Sequence, residues 1–241
     1  MCACSTRNGS QQIPSVLNSK GAVKPEPAIA ELARLYQAAQ TEQERRAVCL
    51  RAIDAGTIYA GSAVLTLDQI FGSQFASKLP NEGTVAKDLI LFATQPKPPS
   101  QPGPRIEGRS YVGSYFAFDY DYQGKVQYYY FSNLHKGMSS RITGPETVSI
   151  AELKRVYDLA QSEAQRRDVA LRAIDEGVIQ TFPHVHVSTL DAIFGTHLDS
   201  TKKPGTGVIN FTPAAGSGWF MSVDYDRDGA ITNYYLTNLH N

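Results

Sequence analysis

The sequence predicts an α+β protein built as two tandem repeats, each a set of helices followed by an antiparallel sheet of three to four strands. Three observations carry this. Residues 29–58 and 150–179 align without a gap and are identical at 19 of 30 positions. The motif Thr66-Leu67-Asp68-Gln69-Ile70-Phe71-Gly72 recurs as Thr189-Leu190-Asp191-Ala192-Ile193-Phe194-Gly195. Further on, Asp119-Tyr120-Asp121-Tyr122-Gln123-Gly124 recurs as Asp224-Tyr225-Asp226-Arg227-Asp228-Gly229. The matches keep one order along the chain, the mark of duplication of a unit of about 100 residues. Helices first and strands after, given twice, is the pattern of an α+β unit with antiparallel strands.

Taken in order, residues 1–28 are polar with scattered apolar positions and read as a flexible tether. The first repeat spans 29–135. Ile29, Leu32, Ala33, Tyr36 and Ala39 stand at helical spacing, mirrored by Ile150, Leu153, Tyr157 and Ala160. Thr41 with Glu44, and Ser162 with Gln165, have the spacing of a capping box that opens a second helix. That helix carries Val48, Cys49, Ala52 and Ile53 on one stripe. Cys49 stands where the other copy has Ala170, so it reads as a small core residue and not as a reactive thiol. Gly56 and Gly177 fall where a left-handed closing residue is expected, and Gly72 and Gly195 close a short third helix. Strand-like segments follow at 88–93, 111–120 and 125–133, and again at 207–212, 219–225 and 230–237. A proline-rich stretch, 94–109, cannot join a ladder and is expected as an exposed loop. A linker, 136–149, leads to the second repeat at 150–241.

With 23 basic and 23 acidic residues the net charge is zero, which gives no electrostatic reason to expect nucleic acid. No apolar run approaches the roughly 18–20 residues that cross a bilayer, so no membrane span is expected. Cys2-Ala3-Cys4, followed by Ser, Thr, Asn, Gly and Gln, resembles the mature start of a bacterial lipoprotein. In such proteins a Cys after a small residue carries the lipid, which makes Cys2 and Cys4 lipidation candidates. An ordinary cytosolic N-terminus stands beside that reading.

Residues 224–231 fit a calcium loop at positions 1, 3, 5, 6 and 8, but position 12, where a bidentate Glu is required, is Tyr235. Asp and Gly also suit tight hairpin reversals, and that is the reading adopted. His184-Val185-His186 puts two imidazoles on one strand face, with His197 or His240 as a third group; surface or loop histidines are the simpler reading. No Gly-x-Ser-x-Gly elbow, His-Glu-x-x-His helix or nucleotide-binding glycine loop occurs. No catalytic residue, metal ligand or cofactor is therefore assigned.

The strands are rich in aromatics. Matching the repeats aligns Phe116, Phe118 and Tyr120 with Met221, Val223 and Tyr225, and Tyr129 and Phe131 with Tyr234 and Leu236, a core face. The opposite face then carries Tyr115, Tyr128, Tyr130, Phe220 and Tyr235. A sheet with helices on one side leaves its other side open, and aromatics there suit a protein partner. Edge-to-edge joining of the two sheets, or burial of these rings against each other or the proline-rich loop, is the competing expectation.

The helical pair, the short helix ending in Leu67–Gly72 or Leu190–Gly195, and the Asp-x-x-Gly hairpins at 121–124 and 226–229 together resemble two families. These are the outer-membrane lipoprotein BamE (SmpA/OmlA) family and β-lactamase inhibitor protein, the latter itself a tandem repeat of helix-helix-sheet units. The resemblance covers 29–135 and 150–241 as architecture, and the long helical pair departs from BamE. It implies a non-enzymatic protein-binding module outside the cytoplasm: a periplasmic or outer-membrane-anchored lipoprotein, or an inhibitor or immunity-type protein. The alternatives are a cytoplasmic location and, from another class, a metal-dependent or small-molecule enzyme with its site between the repeats.

Overall fold

The computed structural model describes residues 28–92, 105–106, 109–110, 114–132, 148–181, 185–198, 205–212 and 218–238. The expectations placed on Cys2, Cys4, His184 and His240, and on most of 94–109 and 136–149, lie outside those residues.

Helix α1 spans Ile29–Ala38, α2 Glu42–Asp54 and α3 Val64–Phe71, followed by a 3-10 turn at Phe75–Lys78. Strand β1 is Val85–Leu91; β2 (Arg105–Ile106) and β3 (Arg109–Ser110) pair in a separate two-residue ribbon; β4 is Tyr115–Asp121 and β5 Val126–Ser132. The chain continues as α4 Ile150–Leu159, α5 Glu163–Asp175, α6 Val187–Phe194, β6 Gly205–Asn210, β7 Trp219–Tyr225 and β8 Ile231–Asn238. Both capping boxes form. Thr41 accepts from the Glu44 amide at 3.1 Å while Glu44 accepts from the Thr41 amide at 3.0 Å, and Ser162 and Gln165 do the same at 3.2 and 3.1 Å. Such a cap satisfies amides that have no partner within the helix. Gly72 and Gly195 end α3 and α6 at φ of 72° and 70°, a left-handed turn that a side chain would strain.

The Asp of the third-helix motif holds the chain that leaves α3. Asp68 accepts from Ser73 Oγ, the Phe75 amide and the Ala76 amide, each at 2.8 Å. Asp191 accepts from Thr196 Oγ1 and, at 2.8 Å, from the Leu198 amide. These carboxylates fix the route from helix to strand.

Apart from the β2–β3 ribbon, the described strands do not divide into one sheet for each half. They form one six-stranded antiparallel sheet in the order β1-β4-β5-β8-β7-β6. Of the competing expectations, edge-to-edge joining of the two three-stranded sheets is the one observed: at the seam β5 pairs with β8 through Tyr130↔Thr237, Phe131↔Leu236 and Ser132↔Tyr235. The physical reason is the edge. Each last strand alone would expose a row of unpaired amides and carbonyls, and pairing them removes two such edges at once.

One hydrophobic cluster spans both halves, between the helices and one face of the sheet. Phe116 packs against Phe118, Tyr129 and Phe131 with ring centroids 5.8, 5.5 and 5.1 Å away. Phe131 reaches across the seam to Trp219 at 5.9 Å. Cys49 is fully buried here, and that burial raises its thiol pKa well above the usual value, as a packing residue requires.

Ion pairs also cross between the halves. Arg46 of α2 bonds Asp175 at the end of α5, and Arg167 of α5 bonds Asp54 at the end of α2, the latter at 2.7 Å. Both arginines are almost wholly buried, at 5% and 3% exposure. Arg167 also contacts Asp168 at 2.8 Å and lies 4.8 Å from the centre of the Trp219 ring. Burial works against the Arg167 charge, but the hydrogen bond and charge of Asp54, with Asp168 adding to them, prevail and raise its pKa. The first-turn acid of each second helix fastens the sheet as well. Glu42 accepts from the Ser114 amide at 3.2 Å, and Glu163 accepts from the Trp219 amide.

Candidate protein-docking face

Alternation along the strands sends Phe116, Phe118, Tyr129, Phe131, Met221, Val223, Tyr234 and Leu236 to the helical side, where all are buried. The other side carries Tyr115, Ala117 and Asp119 on β4, Tyr128, Tyr130 and Ser132 on β5, Tyr235 and Thr237 on β8, and Phe220, Ser222 and Asp224 on β7. The five aromatics expected on this face are therefore on it, and the seam brings those of the two halves together.

Tyr130 is the hub. Its ring centre lies 6.0 Å from Tyr128, 6.4 Å from Tyr115 and, across the seam, 5.7 Å from Tyr235. Tilted and edge-on contacts at these spacings are the favourable geometry for aromatic pairs. Tyr128, Tyr130, Tyr235 and Phe220 are half-buried. Tyr115 differs from the expectation of an open ring, being 4% exposed, so it supports the row from below and does not offer contact area. The small side chains Ala117, Ser132, Ser222 and Thr237 on this face are buried too, which leaves the larger rings to present the surface.

Sequence reasoning missed a cation here. Lys87 on β1 places its ammonium 5.7 Å from the Tyr130 ring centre and 3.7 Å from Asp119. The register Lys87↔Asp119 makes them cross-strand neighbours, a pairing that becomes legible only once β1 is known to start at Val85. At the matching position of the second half, Asp224 accepts from Thr206 Oγ1 at 2.7 Å and from Asn233 Nδ2 at 3.3 Å. Burial, with Tyr115, Asp119, Tyr128 and Tyr235 around it, pushes the Tyr130 hydroxyl up to about 12, and burial raises Tyr128 and Tyr115 in the same direction. Near neutral pH these hydroxyls stay protonated, so each ring joins an apolar body to a hydrogen-bond donor.

The other motifs serve the fold. Asp121 Oδ1 accepts from the Gln123 and Lys125 amides, and Asp226 Oδ1 from the Asp228 and Ala230 amides, all at 2.9 Å. Each is an Asx turn closed by a glycine, Gly124 or Gly229, at positive φ. His186 caps α6, its Nδ1 accepting from the Ser188 amide at 3.2 Å. A Cβ at Gly229 would fall 2.3 Å from His186 Nε2, so this glycine gives the ring its place. His197 is exposed. Among the described residues no group of three or more His, Cys, Asp or Glu is placed to hold a metal, and no helix is long and apolar enough to cross a membrane.

Comparison of the chain with protein-family models, with curated proteins and with solved structures finds no match.

Proposed function

We propose that this chain is a tandem duplication whose two halves share one sheet, and that the outer face of that sheet docks a protein partner by surface complementarity, without covalent chemistry. The observation that carries the reading is the row Tyr128–Tyr130–Tyr235, half-buried and continuous across the seam, with Phe220 on the neighbouring strand. Tyrosine gives large contact area for few rotatable bonds, and such residues dominate binding energy at interfaces. The resemblance to BamE and to β-lactamase inhibitor protein supports the same class, an envelope lipoprotein or an inhibitor or immunity-type protein. The lipid anchor at Cys2 or Cys4 and a periplasmic location belong to that reading.

The experiment compares the wild-type chain, the Tyr128→Ala/Tyr130→Ala/Tyr235→Ala variant and Lys154→Ala, an exposed change on α4, as baits in envelope extract. The expected result is one partner held by the wild type and by Lys154→Ala and lost at least tenfold by the triple variant, with circular dichroism unchanged. Equal retention by the folded triple variant would remove this face as the docking surface.

A further inference from the structure

We infer that the seam between the halves is a self-complementary interface, and that the partner it fits is a second copy of this chain whose halves pair with their own kind. The inference rests on the duplication proposed above and is independent of what the aromatic face binds.

Both layers of the molecule carry the signature. In the sheet, the alignment that matches Asp119 with Asp224 also matches Tyr130 with Tyr235, Phe131 with Leu236 and Ser132 with Thr237. The observed pairs are Phe131↔Leu236 at the centre, with Tyr130↔Thr237 and Ser132↔Tyr235 on either side. Equivalent positions thus face each other at the centre, and the flanking pairs exchange roles.

In the helical layer the ungapped alignment matches Arg46 with Arg167 and Asp54 with Asp175. The ion pairs are Arg46–Asp175 and Arg167–Asp54, again with roles exchanged. Within each helix the Arg and Asp are eight residues apart, about two turns, so they share a face. The early part of each helix meets the end of the other, which is an antiparallel arrangement. An interface in which residue i meets j while the equivalent of j meets the equivalent of i is isologous, the form taken by two-fold dimers.

Each half therefore holds, at equivalent positions, a counterpart of both members of every seam pair: the same Arg and Asp in the helical layer, and in the sheet Phe131 for Leu236 and Ser132 for Thr237. A first half can meet the first half of another copy with Arg46 against Asp54 in both directions, and a second half can do the same with Arg167 and Asp175. Two features favour pairing within one chain. Phe131 packs on Trp219, whose matching position in the first half is Ser114, so the mixed pairing fills the core best. Tethering also gives the two halves an effective concentration on the order of millimolar.

The test exploits the charges. In Arg167→Asp/Asp175→Arg the pairs within a chain set guanidinium against guanidinium and carboxylate against carboxylate. Pairing of like halves between two copies keeps every contact across the seam opposite in sign; the Arg167–Asp168 contact is lost in the two-residue and four-residue variants alike and does not separate them. The expected result is a folded dimer, seen by light scattering and native mass spectrometry as a doubling of the 26.4 kDa monomer. Reversing all four positions (Arg46→Asp/Asp54→Arg/Arg167→Asp/Asp175→Arg) restores complementarity within the chain and returns the monomer.

A folded monomer from the two-residue variant would overturn the proposal, as would a four-residue variant that dimerises as fully as the two-residue one at the same concentration. So would a two-residue variant that unfolds while the four-residue one folds. If neither folds, the duplication's equivalence of positions fails at the seam, and the wild type decides the rest. Refolded at about the millimolar concentration where contact between copies competes with a tether, it should give a dimer fraction that grows with concentration. Monomer alone at every concentration would overturn the proposal. The four-residue variant keeps the seam within one chain and with it the Tyr130–Tyr235 contact, so partner binding at the aromatic face is read on that variant, apart from the oligomeric state.

Discussion

Arg167→Ala should lower the stability of the protein by about 3 kcal/mol, the low end of what breaking a buried ion pair costs. The side chain bonds Asp54 at 2.7 Å and Asp168 at 2.8 Å and lies over Trp219. Truncation removes the guanidinium, its bonds and the stem that packs the seam. It leaves Asp54 at the seam without its cation. The low end applies because the Asp54 side chain keeps 36% of its exposure and water takes up part of the loss. Urea unfolding checks the value through the shift in midpoint at constant slope. Arg167→Met separates the contributions: it keeps the stem and loses the charge, so it should fall between wild type and alanine. A midpoint unchanged in Arg167→Ala would mean that the pair adds nothing at the seam.

Phe131→Ala should cost about 3–5 kcal/mol, the range for emptying a buried aromatic position. Phe131 is 1% exposed, stands opposite Leu236 at the centre of the seam, and contacts Phe116, Phe92 and Trp219. Those neighbours come from β4, from the residue after β1 and from the second half, so no single side chain can relax into the void. The same urea experiment reads the loss. A change below about 1 kcal/mol would show that the cavity closes and the seam is loosely packed.

Much of the fold was legible in the sequence because its signals are local. Capping boxes at Thr41 and Ser162, left-handed glycines after α3 and α6, and alternation along β4, β5, β7 and β8 each involve residues a few positions apart. The internal sequence match helped by showing which alternating face is apolar in both segments. The seam was not legible in that way. Nothing local to Val126–Ser132 says that its free edge will take Ile231–Asn238, and the pairing of Arg46 with Asp175 joins residues 129 positions apart. The one available signal was that Arg46 and Asp54 recur unchanged as Arg167 and Asp175 on helices otherwise read for their apolar stripe. The docking face was legible as a set of residues but not as a surface. Alternation places Tyr115 on the outer side, yet only the packed structure shows that it is enclosed and that Lys87 lies against Tyr130.

The face and the seam depend on each other. Tyr130 and Tyr235 come from different halves, so their contact exists only while the halves act as one body. Differential scanning calorimetry of the intact chain tests this most directly. The account predicts one transition whose calorimetric and van't Hoff enthalpies agree, because a shared core, a continuous ladder and reciprocal buried ion pairs leave no half able to melt alone. Two resolved transitions, or a calorimetric enthalpy near twice the van't Hoff value, would contradict it.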